Sequence, residues 1–141
     1  MGTVASACVL LLVLTTLIHY EALRGLSQAL PLLPMPPRAK LTVLIIGAFA
    51  AHAVEITLYA LSMLGLISWL GAGAFDAVHV PSFSMLMYFS AETYTSLGYG
   101  DIVPHGSLRL LAGAEALTGL LMIGWSASYV FVAMERFWDR R

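Results

Sequence analysis

Long apolar stretches separated by short polar breaks dominate the chain, and they predict membrane-spanning helices. Residues 1–20 are almost wholly apolar and, at about 1.5 Å per residue, are just long enough to cross about 30 Å of hydrocarbon. They lack the basic start of an export signal, so we expect this first helix to be retained. Residues 41–70 and 107–134 form two further apolar stretches. The pattern therefore predicts three spans.

The segment between the first two spans has a different pattern. Within residues 21–40, the apolar residues Leu23, Leu26 and Leu30 recur at helical spacing, and a proline run follows from Pro31. This spacing predicts an amphipathic helix lying along the membrane interface, and proline predicts a stiff linker that reaches Lys40. Three units follow: an N-terminal transmembrane helix (1–20), a cytoplasmic interfacial helix with its linker (21–40), and the remainder (41–141).

Residues 81–94 form an apolar stretch that is too short to span the bilayer. A Pro-Ser pair begins it, as is typical of a helix start, and about a dozen residues cover well under 30 Å. The glycine-containing segment 95–101 comes next. A short apolar helix followed by such a loop predicts a re-entrant hairpin that enters and leaves on one side of the membrane. The predicted fold is an all-α membrane protein with three transmembrane helices plus this re-entrant helix and loop.

Composition excludes several classes of protein. The 141 residues are 60% hydrophobic and 11% charged, with a net charge of −1, which argues against a soluble domain, a disordered chain and a nucleic-acid binder. The single cysteine, Cys8, excludes an internal disulfide framework. No nucleophile with its base and no metal-ligand spacing is visible in the sequence, so we expect neither enzymatic activity nor a cofactor.

The basic residues predict the orientation of the chain. Six of the seven fall between the first two spans or after the last one, and only Arg109 lies elsewhere. With three spans and a re-entrant loop, all six lie on one side of the membrane, which the positive-inside rule assigns to the cytoplasm. We therefore expect a cell-membrane protein with its N-terminus outside, its C-terminus inside, and the loop 95–101 opening to the exterior.

The loop carries a resemblance to a known family. The segment Thr95-Ser96-Leu97-Gly98-Tyr99-Gly100-Asp101 resembles the selectivity filter of potassium channels, whose usual form is Thr-Thr-Val-Gly-Tyr-Gly-Asp. Upstream, residues 88–93 resemble the pore helix of small bacterial two-helix channels, and residues 115–119 resemble the inner helix. The resemblance covers residues 41–132 and implies an outer helix (41–70), a pore helix (81–94), a filter (95–101) and an inner helix (107–134).

The resemblance implies an ion site that elementary chemistry explains. A dehydrated potassium ion needs several oxygens in place of water, and stacked backbone carbonyls supply them. Turning successive carbonyls one way needs residues at positive φ, which glycine tolerates, so Gly98 and Gly100 meet that demand. The resemblance places the filter at Thr95–Gly100, and it makes the carbonyls of Ser96, Leu97, Gly98 and Tyr99 the ion ligands. One loop supplies a quarter of such a ring, so a homotetramer is implied.

Four further residues are implied to support the filter. The hairpin is expected to bring Glu92 and Asp101 together behind it, sharing a proton, while Asp101 as a solvated charge at the mouth remains the alternative. Tyr99 is expected to brace the loop against Tyr88 or Phe89.

Polar residues and glycines within the spans are candidates for gating. His52 and Glu55 lie three positions apart on one helix face, and with Glu115 they form a predicted proton-sensitive cluster. A satisfied structural network is the alternative for this cluster. Gly119 and Gly124 are candidate hinges of the inner helix, with close packing as the alternative.

The sequence thus predicts a potassium-selective channel that conducts passively. Ser96 and Leu97 replace the commoner threonine and valine, so a weakly selective sodium and potassium pore stays open. A non-conducting regulatory subunit and a carrier with a broken helix are the alternatives from other classes. The expected partners are three further copies of the chain, the lipid bilayer and potassium ions, and no nucleic acid.

Overall fold

Four α-helices make up the computed structural model, which describes residues 1–76 and 81–138 without the side chains of the last two. Their bounds are α1 Gly2–Ala29, α2 Pro37–Leu70, α3 Phe83–Tyr94 and α4 Leu108–Trp138, with a short 3₁₀ helix at Leu30–Leu32. No strand occurs in these two ranges, where the only bridge pairs Phe75 with Pro104. The all-α fold class is confirmed.

Three of the helices are long and apolar enough to cross a membrane: Gly2–Leu32, Pro37–Leu70 and Leu108–Arg136. The fourth, α3, has 12 residues and covers about 18 Å, which is too short for the bilayer. Most of the large apolar side chains on the outer faces of the long helices are exposed, such as Phe49 and Leu117. Lipid or further copies of the chain must cover such surfaces.

The structure differs from the sequence prediction between residues 20 and 40. Instead of a span that stops near Tyr20 and a separate interfacial helix, α1 continues without a break to Ala29. The proline-rich connection is also shorter than predicted, because α2 begins at Pro37 and takes Arg38 and Lys40 into its first turn. Proline suits this position, since its missing N–H would have no partner there and its fixed φ matches the helix.

One hydrophobic core joins all four helices. Its buried residues include Val4 and Leu11 of α1, Tyr59 and Met63 of α2, and further residues of α3 and α4. Val4 and Leu11 lie seven residues apart, which places them on one face of α1. The first helix therefore packs against α2 and α4.

Candidate functional site

The short helix α3 is positioned at both ends by local hydrogen bonds. At its start, the Ser82 hydroxyl oxygen accepts a hydrogen bond from the backbone N–H of Met85 at 3.2 Å, which satisfies a donor that the helix leaves free. At its end, the N–H of Thr95 donates to the carbonyl oxygen of Ala91. The chain then turns sharply into the loop 95–101, which we call the filter loop.

The backbone of the filter loop alternates in handedness. Gly98 and Gly100 have φ of 52° and 78°, as predicted from their lack of a Cβ. Ser96 also lies at a positive φ, of 58°, which the sequence analysis did not predict. Serine accepts this conformation at less cost than a β-branched threonine would. Every second residue from 96 to 100 is therefore left-handed.

Glu92 organises the filter loop through both its backbone and its side chain. Its carbonyl oxygen accepts from the N–H of Leu97 at 2.8 Å and of Gly98 at 3.2 Å, and its carboxylate accepts from the N–H of Tyr99 at 3.3 Å. In a planar trans peptide, the N–H of one residue and the carbonyl of the preceding residue point in opposite directions. The carbonyls of residues 96, 97 and 98 therefore all point away from Glu92.

Asp101 is held by a different partner. The Tyr88 hydroxyl donates to its carboxylate at 3.1 Å, and no hydrogen bond joins Glu92 to Asp101 within the described ranges. The expected sharing of a proton between these two carboxylates is thus not the arrangement observed. Partial desolvation, together with the Asp101 carboxylate, raises the pKa of Tyr88 to about 12, so its hydroxyl remains a donor at neutral pH.

The aromatic residues around the filter loop differ in their surroundings. Phe89 is buried and meets the ring of Phe75 edge-on, with centroids 4.9 Å apart. The side chain of Tyr99 is 68% exposed in the single chain. Phe89 therefore fixes α3 to the segment that follows α2, and Tyr99 is left free to contact something outside this chain.

A second polar cluster lies beneath the filter loop, where all four helices meet. His19 of α1 lies 2.9 Å from the Glu55 carboxylate through Nδ1 and 3.0 Å from the Ser126 hydroxyl through Nε2. His52 lies 3.0 Å from the Tyr94 hydroxyl and 3.1 Å from Ser126. The Tyr94 hydroxyl donates to Glu55, which closes the circle. We call these five side chains the polar ring.

The polar ring only partly matches the predicted cluster. It includes His52 and Glu55, but Glu115 lies outside it and is hydrogen-bonded to Ser90 of α3 instead. The sequence analysis missed His19, Tyr94 and Ser126. The predicted first span ends near Tyr20, which places His19 at its edge. A span that continued to Ala29 would have placed His19 at membrane depth, where an ionisable residue is a candidate functional group.

His19, His52 and Glu55 each offer a ligand atom within 4.8 Å of one another, a spacing that would suit a metal ion after small movements. Each of these nitrogen and oxygen atoms already has a protein partner at hydrogen-bond distance. The geometry as it stands is therefore that of a hydrogen-bonded network rather than of an open metal centre.

The two candidate hinge glycines of α4 differ in their surroundings. A Cβ at Gly119 would lie 1.9 Å from the carbonyl oxygen of Tyr94, whereas a Cβ at Gly124 would meet nothing within 4 Å. Gly119 is thus required for the close approach of α4 to the end of α3, which favours the packing alternative for this position. Gly124 has an exposed face.

Two of the residues used to predict the orientation, Arg140 and Arg141, lie outside the described residues, and so does His79. His105, in the segment between the filter loop and α4, has its Nε2 within hydrogen-bond distance of the Asp76 carboxylate. Two backbone hydrogen bonds reinforce this junction, from His105 N–H to Ala74 at 2.8 Å and from Asp76 N–H to Val103 at 3.3 Å. They tie the chain after α2 to the chain after the filter loop.

A family model described as an ion channel matches residues 41–136 of the chain. The match covers most of α2, all of α3 and the filter loop, and most of α4, and α1 lies outside it. No curated protein and no solved structure matches the chain.

Proposed function

The chain belongs to the ion channel family, and from that premise we propose that it assembles as a homotetramer and conducts potassium ions passively, down their electrochemical gradient. The membership and the three apolar helices make it a multi-pass membrane protein. A passive channel needs no catalytic group.

One observation supports the potassium proposal most directly. Three successive N–H groups of the filter loop bind Glu92, so the carbonyls of Ser96, Leu97 and Gly98 point to the opposite side. Together with the carbonyl of Tyr99, these would be the rungs that replace the hydration shell of the ion. Thr95 and Gly100 would flank the rungs at the inner and outer ends of the filter.

The same geometry supports an assembly of four chains. One loop presents its oxygens to one side only, and a dehydrated cation needs oxygens all around it, which closed symmetry provides. The exposed side chains of Leu97 and Tyr99 would then pack between neighbouring copies. A crosslinked species four times the mass of the chain, in detergent and in lipid, is expected.

The test of conduction is recording from purified protein in planar bilayers with mostly potassium on one side, and mostly sodium with a known low concentration of potassium on the other. We expect unitary current steps that reverse near the potassium equilibrium potential. A Gly98→Ala variant is the matched control, because a Cβ there meets nothing within 4 Å but φ is 52°. It should keep the helical fold and lose potassium conduction, because the strain falls on the filter loop. Flux without unitary steps would indicate a carrier, and no flux at all would indicate a regulatory subunit.

A weakly selective cation channel is the second candidate, and Ser96 and Leu97 favour it. Serine lacks the methyl group that restricts χ1 of threonine, so the inner site would be less rigid. The two candidates differ in the reversal potential. If the pore does not discriminate between potassium and sodium, the reversal potential would lie near zero when the total cation concentration is equal on both sides. In that case Ser96→Thr should move the reversal potential towards the potassium equilibrium potential.

We propose the orientation predicted from the basic residues, with the N-terminus outside and α1 ending at the cytoplasmic face. The test uses a Cys8→Ser background with either Gln28→Cys or Arg109→Cys, since both side chains are exposed. A membrane-impermeant thiol reagent applied from outside should label position 109 and not position 28. The opposite labelling would contradict the orientation.

A further inference from the structure

The polar ring contains one more hydrogen-bond contact than its side chains have hydrogens in their ordinary protonation states. The five contacts are His19 to Glu55, Glu55 to Tyr94, Tyr94 to His52, His52 to Ser126, and Ser126 to His19. Each contact needs one hydrogen. Tyr94 and Ser126 bring one each, a neutral imidazole brings one, and an ionised carboxylate brings none. The side chains therefore supply four hydrogens for five contacts.

The directions of the bonds show where the shortage falls. Tyr94 donates to Glu55, so its oxygen must accept from His52 Nδ1, a nitrogen that also lies 3.5 Å from a Glu55 oxygen and thus faces only oxygens. If His52 is neutral, its Nε2 accepts from Ser126, and Ser126 then accepts from His19 Nε2. His19 has no hydrogen left for Nδ1, which faces the Glu55 carboxylate at 2.9 Å.

A fifth proton removes this conflict. In the arrangement just described, this proton lies between His19 Nδ1 and Glu55. If the Ser126 hydroxyl instead donates to His19 Nε2, the additional proton lies on His52. In both cases the ring is closed and electrically neutral overall. Without it, the ring has a charge of −1 and two lone pairs face each other across one contact. The Glu55 and His19 side chains are fully buried, where both conditions are costly.

We propose that the polar ring is a binding site for one proton, and that the bound proton fastens α1 to the rest of the molecule. His19 is the member that α1 contributes, and it contacts α2 through Glu55 and α4 through Ser126. When the proton leaves, one of the five hydrogen-bond contacts of the polar ring has to break. The family match begins at residue 41, so the ring joins an element outside the matched range to three elements inside it.

Other titratable groups face the ring from the packed helices. Tyr59 of α2 donates to Thr118 at 3.2 Å, and Glu115 of α4 is hydrogen-bonded to Ser90; both interact electrostatically with Tyr94. The centroids of the Trp125 and His19 aromatic rings lie 5.3 Å apart. Cys8 on α1 interacts with Tyr59. None of these groups supplies a hydrogen to the five contacts.

The substitution Glu55→Gln separates a proton site from an ordinary ion pair. A glutamine amide donates through nitrogen to His19 Nδ1 and accepts through oxygen from Tyr94, so it closes the ring with five hydrogens and no titratable proton. If the contact were only a charge pair, the same substitution would weaken it at every pH.

The experiment is magnetic resonance of full-length protein in lipid bilayers, with ¹⁵N-labelled histidine and ¹³C-labelled glutamate, from pH 5 to pH 11. In the wild-type protein at the acidic end of this range, we expect five hydrogens in the contacts of the polar ring. As the pH rises one of these hydrogens should be lost, and the signals of His19 and His52 should change at the same pH. In Glu55→Gln both imidazoles should stay neutral, with hydrogen on Nε2 of His19 and Nδ1 of His52. His105 serves as the exposed reference.

Amide hydrogen exchange of α1 gives the second measurement. Exchange in the wild-type helix, corrected for the intrinsic effect of pH, should rise about tenfold above the transition, since losing one buried contact is worth about 1.4 kcal/mol. In Glu55→Gln it should stay flat. The proposal would be overturned by the wild-type spectra alone if they showed an ionised Glu55 and two neutral imidazoles at every pH. A Glu55→Gln protein that titrates like the wild type, or a zinc-induced shift of both histidines that identifies a metal site, would also overturn it.

Discussion

At Glu115 a buried carboxyl group shares one serine hydroxyl with a second acceptor. The Ser90 oxygen lies within hydrogen-bond distance of both Glu115 and, at 2.8 Å, the carbonyl oxygen of Ile56. Ser90 has a single hydrogen, and a carbonyl cannot donate, so an ionised Glu115 would leave two acceptors facing each other. The remaining Glu115 oxygen has no partner among the described residues. The contacts are satisfied when Glu115 is a neutral acid that donates to Ser90.

The substitution Glu115→Gln tests this state. An amide nitrogen can donate to Ser90 as the acid does, so we expect the free energy of unfolding to change by no more than about 0.5 kcal/mol. Glu115→Ala removes the donor and leaves a cavity, and should cost about 2 kcal/mol. Thermal unfolding of the two variants in the same detergent measures both. A glutamine variant as unstable as the alanine variant would show that Glu115 is held as a charge.

Gly119 offers a second test at the scale of one residue. The substitution Gly119→Ala places a Cβ against the Tyr94 carbonyl at 1.9 Å, and since backbone cannot rotate away, α4 must shift from α3. Overpacking of this kind costs about 1 to 3 kcal/mol. Gly113→Ala, on the same helix with nothing within 4 Å, should instead stabilise by up to about 1 kcal/mol through helix propensity. Equal melting temperatures for both variants would contradict the packing role.

At the scale of single residues, the sequence predicts the backbone conformation that a residue needs better than it predicts which residues that residue contacts. Gly98 and Gly100 were predicted to take positive φ because the requirement is local to each residue. The partners of His19 were not predictable, because they lie 36 and 107 positions away in the chain and depend on how α1 is rotated about its axis. Glu115 was grouped with His52 on polarity alone, and the packing of α3 between them gives it Ser90 instead.

At the scale of elements, α3 and the filter loop form one unit that Glu92 joins. The Glu92 backbone carbonyl would survive a change of side chain, so Glu92→Ala removes only the bond to the Tyr99 N–H. We expect the loop to lose its support at Tyr99 and the open probability of the channel to fall several-fold. Glu92→Gln keeps an oxygen acceptor and should behave nearly as the wild type. Single-channel recording at fixed voltage measures the open probability.

Tyr88→Phe is the comparison for that experiment. It removes the 3.1 Å bond to Asp101 and leaves the contacts of Glu92 intact, so it separates the support of Asp101 from that of residues 97–99. If Glu92→Ala and Tyr88→Phe lowered the open probability equally, support would be shared along the loop. If Glu92→Ala had no effect on open probability, the backbone bonds alone would hold the loop.

Element bounds followed the sequence where a local feature sets them and departed where none does. The start of α3 was predicted from Pro81 and Ser82, and its length excluded a span. The end of α1 was misplaced because the amphipathic pattern after Tyr20 was taken for a new helix. Neither Gly25 nor a polar side chain interrupts the backbone there, and an α-helix tolerates a change in the polarity of its surface without ending.

At the scale of the whole molecule, α1 is the helix that lies outside the matched family range, and the polar ring connects it to α2, α3 and α4. Tyr94 is both a ring member and the last residue of α3, directly before Thr95. Opening the ring would therefore loosen the helix that carries Glu92 and the filter loop. If the chain conducts as proposed, its conduction should depend on the protonation of the ring.

The expected result is that potassium flux into vesicles falls in the wild-type protein above the pH at which the ring loses its proton, and stays constant in Glu55→Gln over the same range. The glutamine ring remains closed without a titratable group, so α3 keeps its support. Asp101, Glu92 and His105 are present in both proteins and act as internal controls for charges near the mouth. A parallel fall in both proteins would assign the pH dependence to those mouth groups and disconnect the ring from the pore.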